Sequence, residues 1–133
     1  MMMRLLAMLM VAVPAWAAEP PLVIYYNDRP PQHFTEHGAP RGPAIDKVTA
    51  ALKAANIDYE IRPMPAKEQL VILQANHERA CMLAWVALPG RDDKGKFSEV
   101  IYRDEPKGSE RRLWCTKVVP EQWMQRLNQA LLK

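Results

Sequence analysis

The sequence HFTEH at residues 33–37 holds the side chains best suited to metal chemistry. On a helix, His33 and His37 would share one face and could bind the same ion. The residues that follow, GAPRGP, favour a loop instead, and no third ligand is marked nearby. We therefore expect no metal site, and an exported metal or redox protein is the third of three hypotheses for the function.

The chain has two cysteines, Cys81 and Cys115, and no C-x-x-C pair. In an exported protein two thiols more often form a disulfide than a reactive pair, so we expect a disulfide between them. Two buried, unpaired thiols or a redox pair are the alternatives. His77 could activate Cys81 as a nucleophile, but a helix–strand junction separates them and Cys81 is expected to be buried.

Motifs of catalysis and of nucleic-acid binding are absent from the sequence. It contains no serine nucleophile elbow, no glycine-rich phosphate loop and no pair of catalytic carboxylates. Its 18 Lys and Arg and 15 Asp and Glu residues are interspersed and give a net charge of +3, without a basic block. We expect a protein that is not an enzyme, needs no cofactor and does not bind nucleic acid.

The N-terminus has the pattern of a secretory signal peptide. Arg4 is followed by an apolar run over residues 5–13, a proline, and the small-x-small sequence AWA at residues 15–17. The run is far shorter than the ~20 residues that span a bilayer, which argues against a membrane anchor. We expect cleavage before Ala18, a periplasmic location, no membrane insertion afterwards, and one domain over residues 18–133.

Hydrophobic patterns predict alternating strands and helices after the cleavage site. Gly42 and Pro43 open the first helix, whose apolar residues Ile45, Val48 and Leu52 share one face. Residues 32–42 have no sustained period and are expected to form a loop. The second predicted helix, 67–76, would turn Leu70, Leu73 and Val71 inward, and a last helix starts near Val119. The predicted strands are Leu22–Tyr26, Tyr59–Met64, Ala80–Trp85, Phe97–Arg103 and Arg112–Thr116.

The order strand–helix–strand–helix–strand predicts a parallel α/β unit with right-handed connections. Because the run over residues 80–85 is apolar on both faces, it is expected to be a buried parallel strand. Ligands of such sheets bind at the carboxyl ends of the strands. Here those ends are residues 27–34, 65–68 and 85–91.

Several motifs along the chain resemble the extracellular solute-binding proteins of family 3, the periplasmic type-2 binding proteins of ABC transporters. The first is a strand followed by RPPQHF (residues 29–34) and by a helix that ends in KAANI. The second is the buried strand ACMLAW followed by a loop that holds Arg91. The third is FSEVIYRDEP (residues 97–106), similar to a hinge-strand signature, and a weaker fourth is the closing segment LWCTKVVPEQWMQRLNQALL.

Members of that family have two lobes joined by two hinge strands. The resemblance implies that the strand over residues 97–103 leaves the first lobe and that the strand over residues 112–116 returns to it. Only a turn lies between them, so the second lobe is expected to be missing. The expected fold class is α/β: a single three-layer lobe of a type-2 periplasmic binding protein, with a parallel sheet, a hinge-strand hairpin and a C-terminal helix.

The resemblance also implies which residues bind a ligand. Arg91 occupies the position of an arginine that holds a ligand carboxylate in family members that bind amino acids. Trp85, Tyr26 and Phe34 would supply aromatic walls, and Arg29 follows the first strand. The strand end before Arg91 lacks the small hydroxyl residues of those members. Glu68 stands nearest the place where relatives often carry an arginine.

The leading hypothesis is therefore non-catalytic binding of a small solute, such as an amino acid or an organic acid, or a degenerate remnant of that function, by a truncated transporter-type protein. Its partner would be a transporter permease. The main alternative is an exported protein-interaction module, in which the exposed former cleft binds another protein or a second copy of the chain.

Overall fold

The computed structural model describes residues 19–133, so the predicted signal peptide lies outside the described residues. Three strands, β1 (Leu22–Tyr26), β4 (Tyr59–Pro63) and β5 (Ala80–Trp85), form the parallel part of the main sheet, with β1 between the other two. This confirms the predicted parallel unit. The bounds of β1 and β5 agree with those expected from the sequence.

Two antiparallel strands complete the sheet. β6 (Lys96–Arg103) and β7 (Glu110–Cys115) pair with each other, and β7 also pairs with β5, which gives the order β4-β1-β5-β7-β6. The predicted hairpin of these two segments is confirmed. The returning strand begins two residues earlier than expected, at Glu110, which brings Arg111 into the sheet.

Helices cover both faces of the sheet. α1 (Pro43–Ala54) and α3 (Glu121–Leu131) contact each other on one face, and α2 (Ala66–Ala75) lies on the other, against β5. Gly42 has a φ of +116°, which favours glycine, and the fixed φ of Pro43 then suits the first turn of α1. The predicted inward face of α1 is buried, whereas Val71 of α2, expected to turn inward, is 66% exposed.

The sequence predicted a loop over residues 32–42, and this was wrong in part. The segment contains a small antiparallel hairpin of β2 (Phe34–Glu36) and β3 (Ala39–Arg41), outside the main sheet. Each strand has only three residues, too few for an alternating pattern to stand out. The tight turn uses His37 and Gly38, both with positive φ.

The outer edge of β6 is partly satisfied by side chains from the helices. Lys47 of α1 donates to the Val100 carbonyl (3.3 Å), and Asn128 of α3 accepts from the Glu99 amide (3.0 Å). Such contacts occupy backbone groups that would otherwise be open to another strand. No helix within residues 19–133 is long and apolar enough to span a membrane.

Cys81 and Cys115 form a disulfide between β5 and β7, as the sequence predicted. The two residues are opposite one another in the strand pairing, and neither is exposed to solvent. The bond therefore fixes the register of the two strands near the amino end of β5. Since Cys81 is buried and forms a disulfide, it cannot act as a thiol nucleophile activated by His77.

Removal of this disulfide should lower the stability of the fold. The cysteines are 34 residues apart, and for a loop of that size we expect the double substitution Cys81→Ala with Cys115→Ala to lower the free energy of unfolding by about 2–4 kcal/mol. Urea denaturation measures the loss. A reductant should destabilise the native protein by a similar amount and leave the double variant unchanged. Two free thiols in the unreduced folded protein would contradict the assignment.

Candidate functional site

The carboxyl ends of the three parallel strands meet at one edge of the sheet. β1 ends at Tyr26, β4 at Pro63 and β5 at Trp85, and the segments that follow each strand lie next to one another there. In open sheets of this type, ligands bind outside this edge. The side chains of these segments are therefore the first candidates for a functional site.

The end of β5 departs from regular strand geometry. Ala84 has a φ of 71°, in the left-handed region that non-glycine residues seldom adopt, and the register with β7 shifts between Met82 and Trp85. Such irregularities often occur next to functional sites, where they change the direction of a side chain or a carbonyl. Here the Ala84 carbonyl accepts a hydrogen bond from Nη1 of Arg111 (3.1 Å).

A cavity of about 140 Å³ opens at this edge. It has two guanidinium groups, one indole ring, one amide and small apolar side chains in its wall. The lining residues are Asn27, Arg29, Ala66, Leu83, Ala84, Trp85 and Arg111. Ala66 is the first residue of α2, so the positive end of that helix dipole adds to the positive potential of the two arginines.

Two arginines meet at one carboxylate beside this cavity. Arg111 donates from Nε (3.0 Å) and Nη2 (2.8 Å) to Oδ2 of Asp104, and Nη1 of Arg29 lies 3.8 Å from Oδ1 of the same residue. The hydrogen bonds from Arg111 keep the pKa of Asp104 below its usual value, so the carboxylate is charged at neutral pH. The cluster of two cations and one anion carries a net positive charge.

A buried histidine attaches the Arg29 loop to the sheet. His33 is not exposed to solvent; its Nδ1 lies 2.6 Å from the Asn27 carbonyl and its Nε2 lies 3.0 Å from the Tyr102 hydroxyl. Because a carbonyl only accepts, Nδ1 carries the proton, and Nε2 accepts from Tyr102. The backbone amide of Arg29 also donates to the His33 carbonyl (2.6 Å). His33 thus positions Arg29, and both of its ring nitrogens are already hydrogen-bonded.

Trp85 belongs to the cavity wall, and Arg91 lies beside it. The Trp85 indole donates to Oε1 of the buried Gln69 (2.8 Å), and Gln69 donates to the Met64 carbonyl (2.8 Å). Arg91 lies over the rings of Trp85 and Trp114, 5.2 and 5.5 Å from their centroids. One of its nitrogens, Nη1, donates to the Val86 carbonyl (2.8 Å).

The two remaining predicted aromatic residues lie apart from this cavity. Tyr26 is fully buried, donates to or accepts from the Thr35 hydroxyl (2.6 Å), and lines a second cavity of about 260 Å³. That cavity shares Asn27 with the first and also contains Asp28. Phe34 lies in β2, opposite Arg41, and is not among the residues that line either cavity.

Of the five residues predicted from the sequence, the structure brings Arg29 and Trp85 together in one cavity wall. Sequence reasoning missed Arg111, Asp104 and His33 as parts of this cluster. Arg111 stands two and four residues before Leu113 and Cys115, which are buried. This spacing could have placed all three residues on one face of β7.

Other cavities lie elsewhere on the surface. One of about 340 Å³ is bounded by Glu19, Asp58 and Trp123, close to the residues that precede β1 and β4. It therefore lies at the amino ends of the strands, away from the edge where sheets of this type bind ligands. Within residues 19–133, no three His, Cys, Asp or Glu side chains come together as a metal site.

Solved structures with a similar fold are binding-protein domains. An arginine-bound point mutant of domain 1 from TmArgBP has a TM-score of 0.68 and 16% identity, covering 84% of this chain and 88% of that one. The arginine-bound form of the same domain has a TM-score of 0.66 and 18% identity, and the match covers 84% of this chain and 90% of that one. ArtJ, the arginine-, lysine-, histidine-binding protein from Geobacillus stearothermophilus, has a TM-score of 0.54 and 19% identity. That match covers 62% of this chain and 36% of ArtJ.

No protein-family model and no curated protein matches the sequence. At these identities the structural likeness shows the fold alone. The fold class expected from the sequence, a single α/β lobe of the periplasmic binding protein type, is confirmed.

The buried state of His33 predicts a pH-dependent stability. Burial, and then the nearby charges of Arg29 and Arg111, lower its pKa below 6.5, whereas the Asn27 carbonyl and Asp28 act in the opposite direction. The unfolded chain therefore binds this proton more readily than the folded one. The free energy of unfolding should be constant well above pH 6.5, begin to fall as the pH approaches 6.5, and fall below it by at most about 1.4 kcal/mol per pH unit.

The matched test compares His33→Gln with His37→Gln, because the His37 side chain is 90% exposed. Urea denaturation between pH 7.5 and about 5 should show that His33→Gln removes this part of the pH dependence. His37→Gln should retain it. Equal slopes for the native protein and His33→Gln would show that His33 is not the buried neutral base described above.

Proposed function

We propose that the protein binds a small solute that carries a carboxylate, without catalysis, at the carboxyl edge of its parallel strands. The observation that carries this proposal is the convergence of Arg29 and Arg111 beside the Trp85 indole. Guanidinium groups recognise carboxylates through charge-assisted hydrogen bonds. The indole ring offers an apolar surface for the rest of the ligand.

The comparisons support solute binding as the general class of function. The similar structures are domains and proteins named for binding arginine and related amino acids, and two of them are arginine-bound forms of one isolated domain. A single lobe of this fold can therefore hold a ligand. Amino acids and organic acids are accordingly the first compounds to test here.

The finer identity is part of the same proposal. We infer an exported, periplasmic binding lobe of the family-3 type in which the short connection of residues 104–109 stands where members carry a second lobe. The antiparallel pairing of β6 with β7 supports this, because the two segments that resemble hinge strands are adjacent. A transporter permease would be the partner, and self-association through the sheet edge is the competing interaction.

A one-lobed site should bind weakly. The cavities on either side of Asn27 measure about 140 and 260 Å³, below the ~300–1,000 Å³ of typical small-molecule sites, and both are open. Less of the ligand surface is buried, so less affinity is available. Binding assays should extend to about 10 mM ligand, a concentration that corresponds to a binding free energy of roughly −2.7 kcal/mol.

The test is a titration of the folded mature protein, monitored by amide chemical shifts, with amino acids, organic acids and polyamines. Compounds that carry a carboxylate should shift resonances of Asn27, Ala84 and Trp85, and polyamines should not. The absence of saturable shifts for every carboxylate would contradict the proposal. Size exclusion at the same concentrations distinguishes ligand binding from self-association.

Substitution of arginines identifies the anchor. Arg29→Gln should weaken carboxylate binding about tenfold or more, because it removes a charge-assisted hydrogen bond. The control is Arg103→Gln, since Arg103 pairs with Glu110 away from the cavity and is 65% exposed. Arg91→Gln tests the role implied by the family resemblance: its contacts with two indoles and the Val86 carbonyl predict a smaller loss than for Arg29→Gln.

A further inference from the structure

Asp104 is the acidic member of the arginine cluster, and it comes from a different part of the chain than the cavity wall. It follows the last residue of β6 and begins the turn that leads into β7. Its carboxylate is bonded to Arg111 and lies within ion-pair distance of Arg29, with 29% of the side chain exposed. Ligands that approach these arginines therefore meet a fixed negative charge.

The fold does not depend on this carboxylate alone. The turn has its own backbone hydrogen bonds, from the Gly108 amide to the Asp104 carbonyl (2.6 Å) and from the Asp104 amide to the Ser109 carbonyl (3.1 Å). Arg111 has a second support in the Ala84 carbonyl (3.1 Å). An asparagine at position 104 retains an oxygen that can accept from Arg111, so the substitution changes the charge more than the shape.

The cluster can receive a carboxylate while Asp104 stays in place. A guanidinium has five N–H groups, and Arg111 uses three of them, two toward Asp104 and one toward Ala84. At 3.8 Å, Arg29 makes an ion pair with Asp104 but no hydrogen bond within the described part of the chain. Both arginines thus retain donors for a ligand.

We propose that Asp104 is a specificity-determining residue that limits this site to ligands with a single negative charge. The charged side chains in the cavity wall are those of Arg29 and Arg111, Asp104 pairs with both, and the three charges sum to +1. One carboxylate neutralises that charge. A second negative charge on the ligand is then repelled by Asp104, whose own charge already offsets that of one of the two arginines.

This inference rests on the proposed function and specifies the ligand class of the same site. The probes are succinate, with two negative charges, and succinamate, which has nearly the same size and one. Each is titrated into the mature protein at pH 7.5 and low salt, with the dissociation constant taken from amide chemical shifts. The variants are Asp104→Asn and the control Glu105→Gln, which removes the same charge from the next residue.

Glu105 is exposed and makes no ion pair within residues 19–133, which makes it a matched control. The native protein should bind succinamate at least as tightly as succinate. Asp104→Asn should bind both probes more tightly than the native protein does. The gain in affinity should be on the order of tenfold for succinamate, and about three- to tenfold larger than that for succinate. The difference should shrink in 0.5 M salt, where the Debye length is only about 4 Å. Glu105→Gln should resemble the native protein.

A gain of affinity on removal of a hydrogen-bonding side chain is hard to explain by a purely structural role. If the native protein binds the probes and Asp104→Asn shows no gain or a loss, the inference is overturned while the proposed function stands. If neither protein binds either probe, the inference is overturned, and the titration with the full set of carboxylates decides the proposed function. If Asp104→Asn does not fold, Arg29→Gln supplies the reverse test: it should weaken succinate more than succinamate, and equal losses would overturn the inference.

Discussion

The antiparallel pairing of β5 with β7 is the interaction on which the rest of this structure depends. It joins the three parallel strands to the β6–β7 hairpin and makes one continuous sheet with a helix layer on each face. The disulfide between Cys81 and Cys115 fixes one end of the pairing. At the other end, Arg111 donates to the carbonyl of Ala84, where β5 takes its left-handed backbone conformation. The covalent bond and the hydrogen bond thus hold the same two strands at opposite ends. The candidate site lies at the second of these ends, so its geometry is a consequence of how the sheet is assembled.

Much of this fold was predictable because local patterns and tertiary packing agree. The apolar runs at residues 22–26 and 80–85 gave strands with the observed bounds, since both strands are buried among neighbours. The helix opened by Gly42 and Pro43 was predictable for the same reason, because its apolar residues share a single face. The small β2–β3 hairpin was not predictable, since its strands are short and half exposed and carry no alternating pattern. The prediction for Val71 was wrong because α2 packs on β5 along a narrow face, centred on Leu73 and Gln69, which leaves Val71 exposed to solvent.

The candidate site was predictable only where one strand end determined it. Trp85 and Arg29 follow the carboxyl ends of β5 and β1, so the general rule for parallel sheets located them. Arg111 arrives on an antiparallel strand, and its place beside Ala84 depends on a register shift that involves both strands. The position of Asp104 depends on the turn between β6 and β7. The position of His33 depends on its contacts with Asn27 and with Tyr102, which is 69 residues away in the sequence. These are relations between distant segments. Local spacing can place Arg111 on a face of β7, but it does not encode the contact with Ala84 or the positions of Asp104 and His33.

The central claim is that β5–β7 pairing brings Arg111 to the strand ends, where it binds an anionic ligand together with Arg29. The most direct measurement is the side-chain Nε–H resonance of Arg111 in a ¹H–¹⁵N spectrum of the folded protein during titration with succinamate. The account predicts a resonance protected from solvent exchange by its bond to Asp104, which shifts in a saturable way while that of Arg103 stays constant. A rapidly exchanging Arg111 resonance, or saturable shifts at Arg91 with none at Arg111, would contradict it.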